Sequence, residues 1–259
     1  MAYFKLKTLF GICLVLLMAG CAMTPSKRLR MDDSAPPPPV VEPLAKDVFL
    51  HISHESVSPW GVVRSNGLII AHGGDALLVD SAWNDHDTEI IIGLSSAAIG
   101  TRPSQAIGTH AHHDKMGGFK FLNDTGIETH AHHNSNALAP SRDLTPARHD
   151  IGDEAVFLDG AVEVFFPGVG HAAGNLVAYH RPSKTLFVGC LVRPGSAKSL
   201  GNTADGDIEN WANAVRAAAT RFPDAEIIVP SHGNPGGREL FDHTIALANE
   251  AASMLHDDQ

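Results

Sequence analysis

Cysteine is scarce. The 259-residue chain holds three, Cys13, Cys21 and Cys190, and only the last falls within the body that follows Asp47. No disulfide can form inside that body, and a lone thiol in an exported protein is explained by burial or by metal ligation. Basic residues are few as well: from Asp47 onward 13 Lys and Arg stand against 26 Asp and Glu, a formal charge of −13. A nucleic-acid partner wants a basic face, so the balance excludes that class and points to a small molecule. The apolar run from Thr8 to Ala19 is too short to span a bilayer. Lys5 and Lys7 precede it and Gly20-Cys21 follows, which reads as an export signal over residues 1–20.

Leu17-Met18-Ala19-Gly20-Cys21 resembles a bacterial lipobox. Cleavage before Cys21 and lipidation of its thiol would anchor the mature protein to the outer membrane on the periplasmic side, the only membrane contact expected. Residues 21–46, with Pro36-Pro37-Pro38-Pro39, read as a stiff extended spacer. Residues 47–259 are enough for one well-buried domain, expected to be a monomer.

The chain is rich in histidine, with sixteen. His110-Ala111-His112 places two imidazoles on one face of an extended backbone, and Asp114 follows at the same interval. Gly117-Gly118 would let the chain turn sharply, so that the carboxylate reaches a neighbouring cation. The chain supplies its own control, because Thr129-His130-Ala131-His132-His133 repeats the spacing with Asn134 in place of the acid and no Gly-Gly. The first stretch reads as the metal motif and the second as a surface pair. His113, between two ligands, is expected on the opposite face or lining the cleft.

Strands are expected at Val48–Ile52, Ala76–Asp80, Ser104–Thr109, Gly126–His130, Ala155–Leu158, Val162–Phe166, Leu176–His180, Thr185–Val188 and Glu226–Val229. Val62-Val63 and Leu68–Ala71 look like two arms of a hairpin. Ser58-Pro59-Trp60-Gly61 marks its tip, where Trp60 is either a flap over substrate or a ring folded onto the sheet. Helices are expected over Asp85–Gly100, Lys115–Asn123, Asn134–Leu138, Asp207–Phe222 and Leu240–Leu255, with Ala139–Asp150 as loop. Strand, helix and strand in succession indicate a layered α/β fold. Asp80, closing an apolar strand, is either support beneath the site or an ordinary cap.

His171, Cys190 and His232 each stand at a strand end or in a glycine-rich loop, able to point into a shared rim. With His110, His112 and Asp114 they make six donors. Six divides into two three-ligand zinc sites, each keeping an open position.

These motifs resemble the metallo-β-lactamases, subclass B1, and within it the New Delhi type. The resemblance rests on His110–Gly118, Gly170-His171, Gly189-Cys190-Leu191, Lys198-Ser199-Leu200-Gly201-Asn202, Ser231-His232 and the hairpin Ser65–Ile69. It implies a four-layer αβ/βα sandwich and two Zn2+, one held by His110, His112 and His171, the other by Asp114, Cys190 and His232. It implies hydrolysis of the β-lactam amide of penicillins, cephalosporins and carbapenems by a metal-bound hydroxide that Asp114 orients, with Asn202 polarising the carbonyl. Other hydrolases of the superfamily, lactonases and thioesterases among them, carry a second His after the Asp and a bridging Asp in place of the Cys; Lys115 and Cys190 depart from that pattern. The family's carboxylate-binding Lys is replaced by Arg193, with Lys198 as the alternative clamp.

Overall fold

The computed structural model describes residues 35–257. The export signal and Cys21 lie outside the described residues, as does the spacer before Ala35. The spacer ends earlier than its proline content implies, because Val40–Ala45 is strand β1, antiparallel to β2 (Val48–Val57). Proline has no N–H for a ladder, and Pro43 is accommodated because β1 is a sheet edge whose register slips between Pro43 and Ala45.

The hairpin also differs from its expected form. Its arms are β2 and one continuous strand, β3 (Gly61–His72), which contains both Val62-Val63 and Leu68–Ala71. Strands β4 (Asp75–Val79), β5 (Gln105–Gly108), β6 (Glu128–His132) and β7 (His149–Ile151) complete a seven-stranded sheet in sequential order, parallel from β4 onward. A second sheet runs β12 (Ile227–Pro230), β11 (Thr185–Gly189), β10 (Val177–His180), β9 (Val162–Phe165), β8 (Glu154–Phe157).

Alternate residues along these strands enter different cores, as a two-residue period requires when both faces are covered. Leu68, Ile70, Leu77 and Val79 meet Val164, Ala178, Phe187 and Val229 between the sheets. Their neighbours Ile69 and Leu78 pack outward with Ile91, Met116, Phe119 and Leu122, from helices α1 (Asp85–Ile99), α2 (His113–Met116) and α3 (Phe119–Asp124). A short helix, α4 (His133–Leu138), follows β6. On the far side α5 (Ile208–Arg221) and α6 (Glu239–Asp257) cover the second sheet with Trp211, Val215, Phe222, Leu240 and Phe241. The order helix, sheet, sheet, helix is the expected αβ/βα sandwich.

Local signals explain the helix ends nearest the site. Asn84 caps α1 by accepting from Asp87 N at 2.8 Å, acids occupy its first turn, and Gly100 closes it in the left-handed conformation. Asp207 caps α5 by accepting from Asn210 N. The helix expected over Lys115–Asn123 is broken in two at Gly117-Gly118. Neither glycine has positive φ there, so the pair is not needed for an unusual turn. Space is what excludes a side chain: a Cβ on Gly117 would lie 2.1 Å from the Trp83 carbonyl oxygen, and one on Gly118 would lie 1.9 Å from Thr88 Oγ1.

Candidate metal centre

The ends of β5, β11 and β12 are tied into one rim. Leu176 N donates to Thr109 O at 2.8 Å, Asn66 N to Ser231 O at 2.7 Å, and Ser231 N to Gly189 O at 2.9 Å. His110 and His112 follow β5, Cys190 follows β11 and His232 follows β12, while His171 enters from the loop between β9 and β10. Side chains at strand ends escape the sheet's ladder and can turn into a shared space.

Each of three imidazoles is oriented through the nitrogen turned away from that space. His110 Nδ1 lies 3.2 Å from Thr109 Oγ1, whose hydroxyl donates to Asp80 Oδ2, so the ring nitrogen is the donor and Nε2 keeps its lone pair. His232 Nδ1 donates to the Arg64 carbonyl oxygen at 2.6 Å, freeing Nε2, and His112 Nε2 donates to Asp205 Oδ2 at 2.8 Å, freeing Nδ1. The freed atoms converge. His112 Nδ1 is 3.0 Å from His110 Nε2 and 3.2 Å from His171 Nε2. Cys190 Sγ is 3.5 Å from His232 Nε2, which is 3.6 Å from Asp114 Oδ2. Lone pairs facing one another at these distances repel unless a cation lies among them, and imidazole nitrogens with thiolate and carboxylate are the donor types zinc takes. The residues therefore fit the metal that the sequence implied.

Electrostatics keeps four of the donors, His110, His112, Cys190 and Asp114, in their ligating forms; burial would lower His232, but Cys190 and Asp114 outweigh it and raise its pKa. Burial, with His112 beside it, lowers His110 to about 3, and burial lowers His112 too, so both rings are neutral at physiological pH. Cys190 is buried, which alone would raise its pKa; His232, His171 and Lys115 outweigh that and hold the thiol well below its ordinary value. Asp114 is likewise buried and is held low by Lys115. Lys115, fully buried, lies 3.0 Å from Asp114 Oδ2 and 3.5 Å from Asp80 Oδ2, and it donates to Ser65 Oγ at 2.8 Å. Burial pushes Asp80 up to about 7 against the pull of Lys115. Asp80 supports the site from beneath, through both Thr109 and Lys115.

Five of the six donors, all but the more deeply buried His110, line a cleft of about 820 Å³. Trp60 stands on the turn between β2 and β3, 62% exposed, and borders that cleft instead of folding back onto the sheet. Arg193 lines it too, half-buried, its guanidinium packed beside Gly201; a Cβ there would lie 3.0 Å from Nη2, and Gly201 has φ +76. Asn202 lines the cleft with its Oδ1 accepting from Ala204 N at 3.2 Å, which leaves the Nδ2 donor free. Lys198 is exposed and is not among the lining residues, so the structure sets Arg193 and Lys198 apart. His113 is exposed and borders the cleft.

The second histidine stretch does other work. His130 stacks on His149 with centroids 4.9 Å apart, and His132 stacks on Phe166 and pairs with Asp153. Among the described residues every cluster of three close metal-type donors draws on the first stretch, Cys190 and the two later histidines. Sequence reasoning missed Asp205, which orients His112, and Arg142, which grips Asp205 at 2.9 Å. It also had no means of seeing the Arg64 carbonyl oxygen.

Residues 60–232 match the family model described as metallo-beta-lactamase superfamily. The metallo-beta-lactamase type 2 of Bacteroides fragilis is 30% identical over 247 residues, covering 95% of this chain and 97% of that protein. Among solved structures, the metallo-beta-lactamase FIM-1 of Pseudomonas aeruginosa, in a mono-zinc form, aligns with a TM-score of 0.79 and 42% identity over 83% of this chain and 96% of its own. A metallo-beta-lactamase from Hirschia baltica aligns with a TM-score of 0.77 and 39% identity, covering 82% and 98%.

Proposed function

Because this chain belongs to the metallo-beta-lactamase superfamily and is similar along most of its length to B1-like enzymes, we propose that it hydrolyses the β-lactam amide of antibiotics with two zinc ions. One observation carries the reading: six donors from four segments of the chain converge, five of them at the wall of one cleft. His110, His112 and His171 would hold one ion, and Asp114, Cys190 and His232 the other. Bound zinc supplies Lewis acidity and lowers the pKa of water to roughly 7.

The chain's own residues supply the rest. Asp114, fixed at Oδ2 by Ser65 and Lys115, orients the attacking water. Asn202 offers Nδ2 to the carbonyl oxygen as charge develops there, an oxyanion-hole role. Arg193 grips the substrate carboxylate with two parallel hydrogen bonds; burial lowers its pKa, yet guanidinium stays charged throughout the working range. Trp60 covers the substrate's apolar side from the turn above.

Within subclass B1 we assign the chain to the New Delhi type, a finer reading supported by the runs Ser65–Ile69 and Lys198–Asn202. We also place it in the periplasm as a monomer anchored through Cys21, supported by the lipobox-like Leu17–Cys21. Turnover of a penicillin, a cephalosporin and a carbapenem, with and without chelator, tests the activity. Hydrolysis that chelator abolishes and zinc restores is expected; no hydrolysis by zinc-loaded protein overturns the reading.

A further inference from the structure

Arg142 closes a turn of 3₁₀ helix (Ala139–Arg142) in a stretch whose sequence reads as plain loop. Its guanidinium nevertheless reaches into the cleft wall, where its side chain is 22% exposed. Nη1 donates to the carbonyl oxygen of Ala111, the residue between the two histidine donors, at 2.9 Å. Nη2 meets Asp205 Oδ1 at 2.9 Å, while the other oxygen of that carboxylate accepts from His112 Nε2 at 2.8 Å.

We propose that Arg142 is a positioning residue for the three-histidine half of the metal centre, acting through Asp205 and through the backbone at Ala111. A carboxylate engaged at both oxygens cannot rotate away from His112. The imidazole must then keep its proton on Nε2 and present Nδ1 to His110 and His171. The contact with Ala111 fixes the backbone between the two donors that share a strand end. The same guanidinium also ties the loop carrying Asn202 and Asp205 to that strand end, so that the carbonyl-binding residue and the first metal position form one unit. Lysine carries its three donors on a single nitrogen and lacks the planar fork that lets Nη1 and Nη2 reach the Ala111 carbonyl and the Asp205 carboxylate from separate atoms.

The inference rests on the metal-centre reading, and its test separates the two. Cobalt(II) binding to the chelator-stripped full chain reports both halves: the thiolate charge-transfer band follows Cys190, and the ligand-field bands with chelator competition follow the histidine half. Arg142→Ala should weaken the histidine half about 10-fold and leave the thiolate band in place. Arg142→Lys should recover part of the loss. Asp205→Ala should resemble Arg142→Ala, and the double variant should be no worse than either. If Arg142→Ala fails to fold, the cycle of Arg142→Lys with Asp205→Ala carries the same comparison. Wild-type affinity in Arg142→Ala, additive losses in the cycle, or no recovery with Lys each overturn the assignment to Arg142. Wild-type protein that binds no cobalt overturns the metal centre and this proposal together.

Discussion

Replacing Lys115 by Met keeps a long unbranched side chain and removes the charge, so the variant isolates electrostatics beneath the metal centre. In the wild type the ammonium is fully buried between Asp114 and Asp80. Without it two buried carboxylates keep only hydroxyl and backbone donors, from Ser65 and Thr109. Removing one side of a buried ion pair costs about 3–5 kcal/mol. For a domain of this size each kcal/mol moves the midpoint by about 2–4 °C, so Tm of stripped protein should fall by about 6–20 °C. The pH dependence has a definite sign. Burial tends to raise both carboxylates and Lys115 pulls both down, so its loss raises their folded pKa values. The folded variant then binds more protons than the unfolded chain above the ordinary carboxylate range, and its stability falls as pH rises through that window. The deficit should accordingly shrink between pH 7.5 and pH 5. Zinc beside Asp114 would replace part of the lost positive charge, so loaded protein should lose less than stripped protein. Thermal melts of both forms at the two pH values measure all of this. An unchanged Tm for stripped Lys115→Met at neutral pH, or a deficit that widens on acidification, refutes the reasoning.

His51 is buried with Nε2 3.0 Å from the Asp80 carbonyl oxygen, and burial lowers it to about 4 against 6.5 in the unfolded chain. The unfolded state therefore takes up the proton first, and about 3 kcal/mol of stability is lost as pH falls from 6.5 to 4. His51→Gln should flatten that limb in urea unfolding at pH 7 and 4.5; parallel losses would count against it. Asn202→Ala should lower kcat about 10-fold, less than the roughly 10²–10³ of a buried donor, because Asn202 is exposed; unchanged kcat removes it from the oxyanion role. Arg193→Ala should raise KM for carboxylate-bearing substrates about 10-fold or more, the worth of a charge-assisted bond, and steady-state kinetics unchanged from wild type would sink the clamp.

The parts of the fold legible in the sequence are those whose signal is local. Helix α1 announces itself through apolar spacing, acids in its first turn and Gly100. Strand β4 does so through the run Ala76–Val79. Strand β1 was hidden because Pro43 and the proline run before it read as spacer, while its place depends on a distant partner strand. Strand β7, three residues with no buried side chain, has no alternation to detect. The break at Gly117-Gly118 depends on Trp83 and Thr88, which pattern reasoning does not bring near. The site divides in the same way. Its six donors stand out because His, Cys and Asp just beyond strands or in a glycine-rich loop are chemically conspicuous. The groups that orient them are a carboxylate in an irregular loop, an arginine closing a single 3₁₀ turn, and a backbone carbonyl oxygen, none of which carries a local pattern.

The proposed metal centre is an asymmetric pair of zinc sites, three histidines on one and Asp114, Cys190 and His232 on the other. Zinc content per chain after dialysis, for wild type and Cys190→Ser side by side, tests it most directly. Two equivalents are expected in the wild type and one in Cys190→Ser, with the histidine half still filled. A single equivalent in the wild type, or two retained without the thiolate, contradicts it.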